Sequence, residues 1–110
     1  MATITFPVST YSLHLGRQIE ASGAKFYGYI SCDAADGNQF LLYFVRPDSI
    51  TPANFYNPAI KRGGAFLPAD KFPWYVDLLR NEKPVNAYLN TDKPEWNNLY
   101  TGNEPIGEGE

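Results

Sequence analysis

Apolar and polar residues alternate along most of the first two-thirds of the chain, and a period of two is typical of half-buried β-strands. The first stretch holds two alternating sets in opposite phase: Ile4, Phe6 and Val8, then Tyr11, Leu13 and Leu15. A single strand keeps both sets on one side only when it bulges between them, near Ser9 and Thr10. The pattern therefore predicts one bulged strand over Thr3–Leu15.

A β-hairpin is predicted next. The residues of Ala24–Cys32 alternate, and the second face of this strand is unusually aromatic because it carries Lys25, Tyr27 and Tyr29. A turn signal, Asp36-Gly37-Asn38, separates this strand from a second apolar run, Gln39–Arg46. Residues 24–46 are therefore expected to pair as two antiparallel strands.

Prolines then interrupt the chain at Pro47, Pro52 and Pro58, so an ordered loop is expected there instead of a long helix. The following stretch, Ala59–Leu67, has the composition of a fourth strand. Its pair of glycines, Gly63-Gly64, predicts a bulge within that strand.

An amphipathic helix is predicted over Asp70–Asn81, with Asp70 as its N-cap. Its apolar stripe follows helical spacing and consists of Phe72, Tyr75, Val76 and Leu79. Trp74 and Leu78 widen this stripe. We therefore expect both of these side chains to be buried against the sheet.

The order of elements predicts the α+β class, with a twisted antiparallel sheet of four strands followed by one amphipathic helix (β-β-β-β-α). Beyond the helix, Val85, Ala87 and Leu89 alternate with polar residues as in a short edge strand. Prolines and glycines from Thr91 onward predict an irregular acidic tail. We expect one domain over residues 1–91 and an acidic C-terminal segment over residues 92–110 that is partly packed or flexible.

Composition narrows the class of protein. Cys32 is the only cysteine and His14 the only histidine among 110 residues, which excludes a disulfide scaffold and a Cys/His zinc site. No signal peptide is visible, and the longest apolar run, Phe40–Val45, is too short to cross a membrane. We predict a cytoplasmic protein with no membrane partner and no cofactor.

The net charge of −3 is distributed unevenly. Residues 92–110 hold five acidic residues and one lysine, whereas residues 1–91 hold eight basic and seven acidic residues. The acidic segment is interpreted either as a solubilising terminus or as a tail that competes with an anionic ligand.

Residues with catalytic potential are few. His14 lies between Leu13 and Leu15, so alternation predicts an exposed or hydrogen-bonded side chain. Cys32 shares the phase of Ile30, which predicts a small buried apolar residue and no thiolate nucleophile. A calcium loop starting near Asp33 fails the required ligand spacing. The chain is therefore predicted not to be an enzyme and to bind no metal.

Four strands and a helix that opens with Phe72-Pro73-Trp74, approached through the Gly-Gly-x-Phe-Leu-Pro sequence of residues 63–68, resemble the single-stranded-DNA-binding transcriptional regulators. This superfamily includes the Whirly proteins, the Pur-alpha repeats and small cyanobacterial-type proteins of that fold. The resemblance covers residues 3 to about 82. It implies a homodimer that binds single-stranded nucleic acid across a curved sheet and has a regulatory role.

Candidate binding residues can also be identified from the chemistry of single-strand binding, independently of the family resemblance. Proteins that bind single strands present aromatic faces to the bases and cations to the phosphates. The candidates of these two kinds are Lys25, Tyr27, Tyr29, Tyr43, Arg46, Lys61 and Arg62. Alternatively, the tyrosines pack beneath a helix or a dimer partner and direct their hydroxyls to water.

The sequence thus favours a non-catalytic binding module, with single-stranded nucleic acid as the first ligand considered. The alternative is a protein-interaction or structural dimer with no nucleic-acid activity, and a small hydrolase or ligand-pocket protein comes third. A homodimer is expected because one helix cannot cover all the large apolar side chains of the predicted sheet.

Overall fold

The computed structural model describes residues 3–16 and 23–101 with their side chains and residues 17–21 by backbone alone. The α+β class is confirmed, but the described residues form eight strands in two sheets, not one sheet of four strands. The elements are β1 (Thr3–Pro7), β2 (Thr10–Ala21), β3 (Ala24–Asp33), β4 (Gln39–Val45), β5 (Phe55–Asn57), β6 (Arg62–Pro68), α1 (Phe72–Asn81), β7 (Val85–Asn90) and β8 (Asn98–Thr101). Short 3₁₀ turns, Ala69–Lys71 and Pro94–Trp96, precede α1 and β8.

The larger sheet has the strand order β2-β3-β4-β6-β5. The predicted hairpin is confirmed, since β3 and β4 pair antiparallel from Phe26↔Val45 to Asp33↔Gln39. The prediction of a wholly antiparallel sheet is wrong, because β4 and β6 run parallel. Parallel neighbours need a long crossover, and the proline-rich connection after Arg46 supplies it while contributing β5 to the sheet edge.

The predicted fourth strand, Ala59–Leu67, is shorter at its start and has no glycine bulge. Lys61 has a φ of 56° in the turn before β6. Pairing with β4 then runs without a register shift from Gln39↔Arg62 to Val45↔Pro68. Gly63 serves packing instead, since a Cβ there would lie 2.7 Å from Leu89 Cδ2. The absent side chain lets the two sheets approach each other.

The smaller sheet has the order β1-β7-β8 and corrects two predictions. Thr3–Leu15 is not one bulged strand, because the chain leaves the smaller sheet after Pro7 and enters the larger one at Thr10. Two backbone bonds mark this passage: Val8 N donates to Val85 O at 2.9 Å, and Ser9 N donates to Asp33 O at 2.8 Å. The change of sheet accounts for the inverted phase.

The predicted edge strand Val85–Asn90 lies in the centre of the smaller sheet. Its alternation is confirmed, since Val85, Ala87 and Leu89 are buried. It is not an edge because β1 covers one side and β8 covers the other. β8 also shows that residues 98–101 of the predicted irregular tail are regular, whereas residues 102–110 lie outside the described part of the chain.

The core lies between the two sheets and α1. Its buried members are Phe6, Ile30, Cys32, Phe40, Leu42, Phe44, Ala65, Ala87 and Leu89. The predicted stripe of α1 packs against them, and Phe72 meets Phe44 edge-to-face at 5.1 Å. No helix in the described residues is long and apolar enough to cross a membrane.

Two predictions about α1 are wrong. The N-cap position is Lys71, without a side-chain capping bond, and Asp70 lies in the preceding 3₁₀ turn. Trp74 is 68% exposed and is not buried against the sheet. At 100° per residue, Trp74 falls about 150° from the centre of the buried stripe, so it points away from the core.

Candidate functional site

The face of the larger sheet that points away from the core carries a groove of about 480 Å³. Alternation along β3 creates it: Ile30 and Cys32 point into the core, whereas Tyr29, Ser31 and Asp33 line the groove. The full lining is Ser12, His14, Phe26, Tyr29, Ser31, Asp33, Gln39, Leu41, Tyr43 and Arg62.

An aromatic ladder of His14, Tyr29, Tyr43 and Phe66 crosses this face. The strand register aligns these four residues as direct neighbours on β2, β3, β4 and β6. The ring centroids of consecutive members are 4.4, 5.5 and 4.8 Å apart, and the first and last pairs are stacked with interplanar angles of 12°. His14 ends the ladder on the edge strand β2, where its ring is exposed.

A bulge in β3 determines which aromatic residues reach the groove. The register with β4 shifts between Phe26 and Gly28, so that Phe26 and Tyr29 line the same groove although they are an odd number of residues apart. Gly28 is required here because a Cβ would collide with the backbone oxygen of His14. Lys25 and Tyr27 are not part of the groove lining.

A polar network lies beside the ladder. The Asp33 carboxylate accepts hydrogen bonds at Oδ1 from Ser31 Oγ at 3.0 Å and from Gln39 Nε2 at 2.9 Å. Gln39 Oε1 in turn accepts a bond from Arg62 Nε at 3.2 Å. The network therefore holds the Arg62 guanidinium at the groove through Nε, and Gln39 does not engage the two terminal nitrogens.

The tyrosine hydroxyl at the centre of the ladder is neutral at physiological pH. Burial, and to a smaller degree the neighbouring Tyr29, raise the pKa of Tyr43 above its usual value, while the Arg62 charge opposes this shift. A neutral phenol both donates and accepts hydrogen bonds. The groove thus offers hydroxyl, amide, carboxylate and guanidinium groups beside the aromatic ladder.

The seven predicted binding residues fall into separate places. Tyr29, Tyr43 and Arg62 meet in the groove. Lys61 lies in the turn before β6, and its Nζ donates a hydrogen bond to Asp36 O at 3.2 Å.

The remaining three form a cluster beyond the groove, at the Ala24 end of β3. The Arg46 guanidinium lies 5.1 Å from the centroid of the Tyr27 ring, and Arg46 N donates to Lys25 O at 2.9 Å. Arg46 Nε also contacts Asp48 Oδ1 at 3.2 Å. The charge of Arg46 is therefore already balanced by a carboxylate.

His14, Ser12, Gln39 and Asp33 are groove residues that the sequence analysis did not select. His14 is exposed as predicted, and its Nε2 lies 3.0 Å from Ser12 Oγ. The sequence pattern that indicates these residues is alternation: Ser12 and His14 share one face of β2, and Ser31 and Asp33 share one face of β3. This pattern places the two pairs side by side only when the register between β2 and β3 is known.

The groove does not assemble a catalytic triad from the described residues. Ser12 and His14 are hydrogen-bonded, but Asp33 is four residues from Tyr29, the neighbour of His14, which is about 13 Å along a strand. Cys32 is buried as predicted, and burial followed by the charge of Asp33 raises the pKa of its thiol to about 12. A thiol held protonated in this way is a poor nucleophile.

Comparison with protein-family models, with curated proteins and with solved structures finds no match for this chain. The resemblance to the single-stranded-DNA-binding regulators stays a prediction from element order.

Proposed function

We propose that this protein is a non-catalytic binding module that holds single-stranded nucleic acid in the groove of its larger sheet. The observation that carries the proposal is the aromatic ladder beside the Arg62 guanidinium on one continuous face. Single strands are bound by stacking of bases on aromatic rings together with cations for the phosphates, and this face combines both.

The two ends of the groove have different roles in this proposal. Rings inside the ladder contact one another, and His14 stacks on Tyr29, so a base stacks at the open end of the ladder, on the exposed ring of His14. Arg62 binds a phosphate through N–H groups that Gln39 does not engage. Between them, Ser31, the Tyr43 hydroxyl and the Asp33 network supply hydrogen bonds to base edges.

Matched arginine variants test this proposal. Arg62→Ala should weaken binding of a fluorescent oligothymidylate by about tenfold and lower the slope of log K against log salt by about one. Arg80→Ala removes another exposed arginine, on α1 and outside the groove lining, and should leave both quantities unchanged. Fluorescence anisotropy of the full chain measures both.

A separate variant tests the stacking contact. His14→Ala should weaken binding by about 1–3 kcal/mol for the base engaged, with the salt slope unchanged because no phosphate contact is lost. If wild-type protein binds no oligothymidylate at low salt, the nucleic-acid function is rejected.

A second candidate function, a protein-interaction or structural homodimer, is favoured by the β2 edge. β2 is a long edge strand, and its core-side residues Leu13 and Leu15 are 43% and 63% exposed. Long apolar edges invite pairing with another chain. Antiparallel pairing of β2 with β2 of a second copy would satisfy the free backbone groups and cover both leucines.

Sedimentation measures this second candidate directly. Wild-type protein at micromolar concentration should show about twice the chain mass, and Leu13→Lys with Leu15→Lys should show the mass of one chain. Ile60→Lys is the control, since Ile60 is 57% exposed in the turn before β6, outside β2. A wild-type monomer would remove this candidate.

A further inference from the structure

A second aromatic surface lies on the smaller sheet, away from the groove. The outward face of β1, β7 and β8 carries Thr5, Tyr88 and Asn98 as direct neighbours in the strand register. Trp96 and Tyr100 complete a shallow depression with these three residues. We name this set of five residues the aromatic platform.

Two aromatic rings of the platform are exposed, so much of their apolar surface is not buried by the fold. Trp96 is 53% exposed and Tyr100 is 40% exposed. Adjacent exposed aromatic rings on one face mark binding surfaces more often than isolated ones do.

The segment that carries Trp96 is held rigidly by two buried asparagines. Asn90 Oδ1 accepts hydrogen bonds from the backbone N–H groups of Asp92 and Lys93, at 2.9 and 3.0 Å. Asn97 Oδ1 accepts one from Asn90 N at 2.9 Å, and Asn97 Nδ2 donates to Phe55 O at 2.9 Å. Both asparagines are under a tenth exposed, so these bonds are shielded from water.

The platform side chains are fixed as well. Asn90 Nδ2 donates to the Tyr88 hydroxyl at 3.0 Å, and Asn98 Nδ2 donates to Trp96 O at 2.7 Å. Lys93 Nζ lies 4.8 Å from the centroid of the Trp96 ring. A preorganised surface loses little side-chain entropy when it binds a ligand.

The chemistry of the platform selects a neutral ligand with one apolar face and polar edges. Its polar members are a hydroxyl, an amide and two phenols, and none is charged. The charged residues on the neighbouring turn are Asp92, Lys93 and Glu95, whose sum is negative and disfavours an anionic strand.

Pyranose sugars are neutral ligands with one apolar face and polar edges. The C–H groups on one face of the ring carry partial positive charge that the negative face of an aromatic ring attracts. Their equatorial hydroxyls extend sideways, where the Asn98 side-chain oxygen and the Thr5 hydroxyl can bond to them.

We propose that the aromatic platform of Thr5, Tyr88, Trp96, Asn98 and Tyr100 is a binding site for neutral carbohydrate, with a pyranose ring stacked on Trp96. The class of ligand is a β-linked oligosaccharide, whose equatorial hydroxyls extend sideways and leave the C–H face of the ring free to stack on Trp96. This site is independent of the groove on the larger sheet.

The two tryptophans of the chain provide a matched pair of variants. Trp74 is 68% exposed with Lys71 Nζ 4.2 Å from its ring centroid, so it resembles Trp96 in exposure and in its lysine neighbour but lies on α1. Calorimetric titration of the full chain with cellohexaose and with chitohexaose should show a Kd of about 1 mM or tighter for at least one of them. Trp96→Ala should weaken that binding at least about tenfold, whereas Trp74→Ala and Arg62→Ala should leave it unchanged.

Folding of each variant is checked by circular dichroism, and Tyr100→Ser replaces Trp96→Ala if the latter is unfolded. Three results would overturn the proposal. The first is the absence of heat with both sugars at about ten times the expected Kd. The second is a loss of sugar binding in Trp74→Ala that equals the loss in Trp96→Ala. The third is that Trp96→Ala abolishes binding of oligothymidylate and not binding of sugar.

Discussion

At the scale of single residues, exposure separates the tryptophans from the core phenylalanines. Trp74 and Trp96 are more than half exposed, and a lysine lies over each ring. Phe44 is 2% exposed and contacts both Phe72 and Tyr75 of α1. The two tryptophans therefore lie outside the core, and phenylalanines are the largest side chains that are fully buried in it.

Substitutions at these positions should show the difference. Trp74→Ala removes mostly exposed surface and should lower the free energy of unfolding by less than about 1 kcal/mol. Phe44→Ala leaves a cavity between sheet and helix and should cost about 3–5 kcal/mol. Urea denaturation of both variants measures this, and a large loss in Trp74→Ala would contradict the outward position of its ring.

Cys32 should make the protein sensitive to alkali. Its thiol ionises near pH 9.0 when unfolded, whereas burial and the Asp33 charge raise its pKa to about 12 in the folded state. Because the folded pKa is raised, the stability contribution is fully present below pH 9.0 and is lost as the pH rises towards about 12.

Urea midpoints measured on both sides of the unfolded pKa test this expectation. Wild-type stability should fall as the pH rises above 9.0, and Cys32→Ala should fall less over the same interval. Equal slopes for the two proteins would show that the thiol does not control the loss.

At the scale of elements, the passage between the two sheets is the most consequential feature. Val8 and Ser9 each donate one backbone hydrogen bond, the first to β7 and the second to β3. The strands on either side therefore keep independent registers. A length change there displaces one sheet relative to the other without inverting the faces of either strand.

An inserted glycine between Ser9 and Thr10 should therefore be tolerated, at a cost of about 1–2 kcal/mol for one disturbed hydrogen bond. The same insertion between Ile30 and Ser31 should unfold the protein, because it would turn half of β3 from the core to the groove. Thermal denaturation compares the two. Equal stability losses would indicate that β1 and β2 act as one strand.

Local signals predicted the hairpin and the helix because their partners are close in sequence. The phase inversion near Ser9 was visible, but a bulge and a change of sheet produce the same alternation, and only the distant partner β7 distinguishes them. The parallel pairing of β4 and β6 is similarly non-local. In the groove, the positions of Tyr29 and Tyr43 could be predicted from the hairpin. The position of His14 could not, because it depends on the register between β2 and β3.

At the scale of the whole molecule, the charge distribution opposes the proposed nucleic-acid function. The net charge is −3, and residues 92–110 supply all of the acidic excess, because residues 1–91 hold one more basic residue than acidic ones. Removing the whole segment is not a clean test, because β8 belongs to it and pairs with β7. Neutralising charges beyond β8 leaves the sheet complete.

The variant carrying Glu104→Gln, Glu108→Gln and Glu110→Gln should bind oligothymidylate a few-fold more tightly than wild type at low salt. The gain should disappear near about 0.5 M salt, where exposed charges are screened. Anisotropy titrations at several salt concentrations provide the comparison. A gain that persists at high salt would point to a change in folding instead of charge.

The pairing of β1 with β7 also orders events during synthesis. The register joins Thr3 to Asn90, so β1, which leaves the ribosome before the other described strands, has no partner until β7 has emerged. The larger sheet needs only residues 10–68 and can assemble earlier. Closure of the smaller sheet is then a late step with a high contact order. Until it occurs, the part of the core face that the smaller sheet covers stays open to a chaperone or to another nascent chain.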